Sequence, residues 1–173
     1  MMGRARPTLA LRPYLPQDAE LAAEIFRASI EELTGDDYSA SQQEAWAALA
    51  EDVDAFGARL DNNLTLLGTM DGAPVGFASL ASPGFKKHAR VDMLYVHPAA
   101  AGYGVGTMLI EALEKLAKAR GVARLSADVS DTAEAFFRSR GFVPRQRNSV
   151  PLGDEWLANT TMDKPLAAEE GAP

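Results

Sequence analysis

Three glycines at alternate positions, Gly102, Gly104 and Gly106, separate the apolar run Leu94-Tyr-Val-His-Pro98 from the helix-patterned run Val105-Gly-Thr-Met-Leu109. Glycine leaves its backbone amide uncovered, and the first turn of a helix carries amides with no partner inside the helix. Residues Gly102 to Thr107 are therefore suited to cradling a phosphate or pyrophosphate, with the positive end of the helix behind them. Two carboxylates lie nearby along the chain. Asp92 sits on the strand leading into the loop, and Asp128 sits near the end of the next strand. Strict alternation would put Asp92 on the same sheet face as Leu94 and Val96, and either acid could take a proton from a reacting group.

Two familiar phosphate loops do not fit. A dinucleotide fingerprint needs a third glycine where Thr107 stands, and an acid about 20 residues on after a first βα unit. A nucleoside-triphosphate loop needs Gly-Lys-Ser/Thr, which the sequence lacks. A tight turn alone would leave unexplained why three glycines line up ahead of a helix start.

Composition narrows the classes further. The 173 residues, 47% hydrophobic, suffice for one domain, expected over residues 8–166 with tails at 1–7 and 167–173. No apolar run is long enough to cross a membrane, and Met-Met-Gly-Arg-Ala-Arg-Pro7 does not read as a secretory signal. With no cysteine there is no disulfide, thiolate metal site or cysteine nucleophile, which fits a reducing cytoplasm. His88 and His97 are the only histidines, so no metal is expected; His97 reads as structural and His88 as exposed. The net charge of −7 is uneven. Twelve acids fall between Asp18 and Asp61 against only Arg27 and Arg59, whereas Lys86 to Lys164 holds twelve bases and nine acids. The acidic part argues against a nucleic-acid partner and suits a cationic ligand.

These residues must be positioned by regular elements. Leu9–Tyr14 reads as a strand and Gln17–Leu33 as a helix. A second helix starts at the box Ser41-Gln-Gln-Glu44 and carries Trp46, Leu49, Val53, Phe56 and Leu60 on one face. Leu64–Met70 and Pro74–Ala81 flank the hairpin turn Asp71-Gly72, and Arg90–Val96 is the strand before the glycine loop. Gly104–Arg120 is helical, with Glu111/Lys115 and Glu114/Lys118 pairs outside. Arg124–Val129 is a strand, Asp131 caps a short helix that Gly141 stops, and Phe142–Val150 and Trp156–Met162 close the chain. Trp46 and Trp156 read as packing residues and Tyr103 as solvent-facing. The expected fold is α/β (α+β): a mixed, mostly antiparallel sheet of about seven strands flanked by four helices.

Val96-His-Pro98, the Gly102-x-Gly104-x-Gly106 loop and its leucine-bearing helix resemble the acyl-CoA loop of the GNAT superfamily of N-acetyltransferases. Ala133-Glu-Ala-Phe-Phe-Arg-Ser-Arg-Gly141-Phe142 resembles the second signature of that family. Asp92-Met-Leu-Tyr-Val-His-Pro98 and the ending Leu157-Ala-Asn-Thr-Thr-Met-Asp-Lys-Pro-Leu166 resemble a bacterial subgroup within it. The resemblance implies acetyl-CoA as co-substrate and transfer of acetyl to a primary amine of a small molecule or peptide by direct attack. The strand Arg90–Val96 would splay from its neighbour at a bulge, freeing the backbone of Leu94, Tyr95 and Val96 for the pantetheine arm. The amides of Gly102, Tyr103, Gly104, Val105, Gly106 and Thr107 would hold the pyrophosphate. Ser130 stands where the family often has an asparagine on the cofactor, and Phe137 stands beside the thioester sulfur.

The family's usual Gln or Arg at the loop entrance is Ala101, and its frequent thiolate-protonating tyrosine is Phe137. Tyr95 or Tyr38 would substitute as acid, with Asp92 first and Asp128 second as base. The acceptor groove would lie beside the acidic first third, favouring a cationic amine. The family's last strands often support dimers, which leaves a homodimer open. Phe137 and Ala101 also suit an acyl-CoA-binding sensor that has lost catalysis.

Overall fold

A computed structural model describes residues 5–81 and 87–166. The tail expected at 167–173, and residues 1–4 of the other, lie outside the described residues. A seven-stranded sheet runs in the order β1-β2-β3-β4-β5-β7-β6. Its strands are β1 (Leu9–Pro13), β2 (Leu64–Met70), β3 (Ala73–Ala81), β4 (His88–Val96), β5 (Arg124–Ser130), β6 (Val143–Leu152) and β7 (Glu155–Pro165). Among the described residues only β4 and β5 pair in parallel; every other neighbour is antiparallel. The expected sheet is present. The Asp71-Gly72 turn has φ of 51° and 84°, the signs of the hairpin turn that matches strand twist.

Among the described residues five helices, not four, pack on it: α1 (Ala19–Leu33), α2 (Ala40–Ala47), α3 (Val53–Asn62), α4 (Val105–Ala119) and α5 (Glu134–Ser139). The expected second helix is two. A 3-10 turn at Ala48–Ala50 interrupts it, and Asp52 then caps α3 by accepting from the Ala55 amide at 3.0 Å. The capping box is also displaced, because Ser39 and Gln42 bond reciprocally instead of Ser41 and Glu44. On α4 the acids reach past their helix. Glu111 pairs with Arg140 and Glu114 with Lys164, so the expected pairs with Lys115 and Lys118 do not form.

Two apolar clusters fill the two faces of the sheet. One packs α4 and Phe137 against Ala78, Leu80, Val91 and Leu125; the other packs α1 and α3 against Leu67, Phe77 and Met93. Their boundary on β4 exposes a bulge. Val91 pairs with Leu80 and Met93 with Ser79, so Asp92 is an extra residue with no partner on β3. Val91 packs in the α4 cluster, while Met93, two residues on, packs in the α1–α3 cluster. The alternation expected through Asp92 is therefore broken. Its side chain meets Arg59 of α3 and Asn63 just beyond that helix, away from the face of Leu94 and Val96.

Candidate active site

The sheet opens at its centre. β4 and β5 pair only through His88↔Arg124, Ala89↔Leu125 and Arg90↔Ser126. Beyond that point β5 stays with β7 as far as Ser130↔Asn159, and β4 stays with β3 as far as Val96↔Gly76. The two halves diverge, leaving the β5-facing backbone edge from Val91 to Val96 without a strand partner. Backbone N–H and C=O groups are obligatory hydrogen-bonding groups, so such an edge can receive an extended ligand.

The glycine loop lines the same cavity as Leu94, Tyr95 and Val96 of this edge. Gly102 and Gly104 have φ of 82° and 88°, a region that side chains disfavour, and Gly104 is the residue that starts α4. No side chain caps the helix, and the first helical bond here runs from the Met108 amide to the Gly104 carbonyl at 3.0 Å. The amides of Val105, Gly106 and Thr107 are left without helical partners. The Val105 side chain is buried and points away, toward Gly68 and Gly76, where a Cβ would stand 3.0 Å from its Cγ1. Only its backbone is presented. Tyr103 is half-exposed, as expected for a loop side chain. His97 Nδ1 accepts from the Ala99 amide at 3.1 Å and so shapes the turn into the loop, the structural role expected of it.

Two cavities meet at the gap. The larger, about 600 Å³, is lined by Leu94, Val96, Ala101, the loop from Gly102 to Thr107 apart from Tyr103, and Phe136 on α5. The smaller, about 280 Å³, lies toward α3 and the β6–β7 hairpin, with Arg59, Arg90, Asp92, Asp128 and Asn159 among apolar residues. Trp46, Leu94, Tyr95, Ser130, Ala133 and Phe137 line both. Of the expected site residues, the structure thus gathers Leu94, Tyr95, Val96, the loop, Ser130 and Phe137 around the first cavity. It places Asp92 and Asp128 in the second.

Asp92 is not a free base. Both of its oxygens accept from Arg59 at 2.8 Å, and Arg90 and Asn63 add bonds at 2.9 and 3.1 Å. Burial alone would raise its carboxyl. Hydrogen bonding to Arg59, the charges of Arg59 and Arg90, and the Asn63 amide outweigh that and hold it below the usual carboxylate range. Asp128 is different. It is half-exposed, accepts from the Thr161 hydroxyl at 2.7 Å, and has Arg90 at 3.8 Å.

Burial pushes the Tyr95 phenol far above its usual value, opposed by the Trp46 indole and the charge of Arg59, so it stays protonated. Its ring is fixed by Phe26 at 4.7 Å and Phe77 at 5.7 Å. Tyr38 is committed elsewhere. Its hydroxyl donates to the Ala158 carbonyl at 2.6 Å and accepts from the Asp131 amide at 3.0 Å, tying the α1–α2 loop across the gap. Ser130 Oγ accepts from the Ala133 amide and so supports the start of α5, a role expected of Asp131. Asp131 instead pairs with Arg147. Trp46 packs at the junction, but Trp156, expected to pack, is 61% exposed on β7.

Sequence reasoning missed Arg59, Arg90, Asn159 and Thr161. Arg59 carried a signal, since it is one of two bases among twelve acids. The acidic stretch borders the smaller cavity, but not with its acids. Its contributions there are Phe26, Tyr38, Trp46, Leu49 and Arg59, with no carboxylate among them.

A splayed seven-stranded sheet with a bare glycine loop at a helix start makes a site for an extended ligand that carries a phosphate. The sequence matches the acetyltransferase (GNAT) family over residues 27–142, and the chain belongs to that family. A GCN5-related N-acetyltransferase from Rhodopseudomonas palustris is 57% identical, covering 96% of this chain and 99% of that one, with a TM-score of 0.86. PaiA N-acetyltransferase from Thermoplasma acidophilum, solved with coenzyme A, is 21% identical over 91% of this chain and 99% of that one, TM-score 0.74. An acetyltransferase from Salmonella typhimurium, solved with acetyl-CoA, is 23% identical over 95% and 97%, TM-score 0.62. Comparison with curated proteins finds no match.

Proposed function

We propose that the protein transfers acetyl from acetyl-CoA to the primary amine of a small molecule or peptide by direct attack. The observation that carries this reading is the meeting of two cavities at one gap, with the bare α4 amides in one and Asp128 in the other. Relatives solved with coenzyme A or acetyl-CoA support it.

The residues fit the co-substrate. The Gly104–Thr107 amides would hold the pyrophosphate, the free edge of Leu94–Val96 the pantetheine arm, and Phe137 with Phe136 an apolar wall near the thioester. When bound, acetyl-CoA supplies the activated acetyl group. An amine of pKa near 10.4 is less than ~1% neutral at pH 7, so a proton must be removed. Asp128 Oδ2 accepts that proton, directly or through a water, because it is exposed to the cavity and not saturated as Asp92 is. Asp92 keeps the Arg59–Arg90 pair in place. A free amide on the β4 edge offers a donor for charge developing on a carbonyl oxygen. Tyr95, neutral at any physiological pH, holds a proton at the junction for the thiolate. Without a carboxylate from the acidic stretch, the cavity favours an amine with an apolar body.

The test is release of coenzyme A thiol from acetyl-CoA over a panel of apolar, carboxylated and polycationic amines, at low and high salt. Turnover by at least one amine, lost in Asp128→Asn, is the expected result. Tight acetyl-CoA binding with no thiol released from any amine would make the protein a sensor instead.

A further inference from the structure

The polar groups behind Asp128 form a row with a single direction. Asp128 on β5 lies opposite Thr161 on β7, and Asn148 on β6 lies opposite Asn159 on β7. Thr161 Oγ1 is 2.7 Å from Asp128 Oδ1 and 2.8 Å from Asn148 Nδ2, and the same Nδ2 is 2.9 Å from Asn159 Oδ1. An ionised carboxylate only accepts, so the one hydroxyl proton of Thr161 goes to Asp128. The Thr161 oxygen then offers Asn148 only lone pairs, which requires the amide nitrogen on that side. Asn148 gives one proton to Thr161 and one to Asn159. Oδ1 of Asp128 is thereby occupied. Oδ2 is left beside Arg90 Nη1 at 3.8 Å, beyond hydrogen-bonding range.

We propose that Thr161, held by Asn148, is a positioning residue for proton transfer: it pins Oδ1 of Asp128 and presents Oδ2 to the acceptor amine. The proposal rests on the reading of Asp128 as proton acceptor. Neither Thr161 nor Asn148 lines the acceptor cavity, so both act through Asp128. The charged groups facing Asp128 are Arg90 on β4, with Asp92 and the α3 residue Arg59 behind it; β7 adds the neutral Thr161 and Asn159 and, two residues along the same face, Asp163, which is paired with Arg124 and Arg145. Those charges persist in any Thr161 variant, which makes the hydroxyl separable from them. A donor fixed on one oxygen restrains the rotation of the carboxylate.

The experiment is the pH dependence of kcat/KM, with an amine that turns over, for the full chain and for Thr161→Val, Thr161→Ser and Asn148→Leu. Thr161→Val removes the proton at nearly unchanged volume and should move the acidic limb up by about one pH unit, the equivalent of one hydrogen bond to a charged group. Thr161→Ser keeps the donor and should leave the limb in place. Asn148→Leu, on the edge strand, should move it in the same direction by less. In an Asp128→Asn background, Thr161→Val should cause no further loss. A limb unmoved in both Thr161→Val and Asn148→Leu, or moved equally by Val and Ser, overturns the proposal. A limb that survives Asp128→Asn alone overturns the reading of Asp128 on which it rests.

Discussion

Gly106 is the sharpest place to test the cofactor cradle, because the fold itself does not require glycine there. It lies in the first turn of α4 and, unlike Gly102 and Gly104, is not among the glycines of positive φ. A Cβ at this position would meet Phe136 Cζ at 3.6 Å and Val96 Cγ2 at 3.8 Å, ordinary contact distances. Alanine is favoured over glycine inside a helix by roughly 0.8–1 kcal/mol. Gly106→Ala should therefore raise the melting temperature of the ligand-free protein by about 2–4 °C, the shift expected for about 1 kcal/mol in a chain of this size. The same methyl group enters the larger cavity, which Val96, Gly106 and Phe136 all line. If it keeps one phosphate oxygen from its amide, a charge-assisted hydrogen bond of about 1.5–3 kcal/mol is lost, and coenzyme A binds roughly 10- to 100-fold more weakly. Differential scanning calorimetry without ligand and titration calorimetry with coenzyme A read the two effects separately. A lower melting temperature would mean that glycine serves packing. Unchanged affinity would mean that the α4 amides do not hold the phosphates.

Gly104→Ala should behave oppositely. Its φ of 88° is disfavoured for alanine by about 1–2 kcal/mol, while the nearest atom to a Cβ, Leu9 Cδ1 at 4.0 Å, leaves room. Urea denaturation should show the loss, and Gly104→Asn should recover part of it. Tyr95→Phe should lower kcat by roughly 100-fold, as for loss of an acid catalyst, with coenzyme A affinity unchanged by calorimetry; unchanged kcat would remove Tyr95 from proton transfer. Asp92, whose folded-state pKa lies below its unfolded value of about 3.9, contributes stability that is complete above about pH 4 and is lost as pH falls through the depressed value. Urea unfolding between pH 6 and 2 (an approximate range, about two units either side of that value) should show this decline, and Asp92→Asn should flatten it while weakening the protein at neutral pH.

The sheet, the hairpin and α4 were legible because periodicity and turn chemistry reinforce each other there. Leu64–Met70 is read residue for residue, and Gly121, with φ of 80°, stands just beyond α4 as expected. The failures have definite physical causes. Ser39 and Ser41 each have a glutamine or glutamate three residues on, so local chemistry does not choose between them. The structure places Ser39 next to Tyr38, which is anchored to β7 through the Ala158 carbonyl. Of the apolar stripe, Trp46, Val53, Phe56 and Leu60 pack in one cluster across the break, whereas Leu49, expected on the same face, falls in the 3-10 turn and is exposed. The bulge at Asp92 escapes a reading by strict alternation, because one unpaired residue reverses every orientation beyond it. For the site, the glycine loop and the gap-lining strand carried clear local signals. Thr161, Asn148 and Asn159 did not, because their arrangement depends on cross-strand register between distant segments.

The meeting of two cavities at one gap also bears on the order of events in time. On the proposed reading the coenzyme would lie in the cavity beside α4 and α5, and the amine in the cavity toward α3 and the β6–β7 hairpin. With a separate cavity for each ligand, neither would have to arrive or depart first. In the direct attack proposed, both ligands would occupy the protein together. Initial-rate plots should then intersect instead of running parallel, and each product should compete with the substrate that shares its cavity.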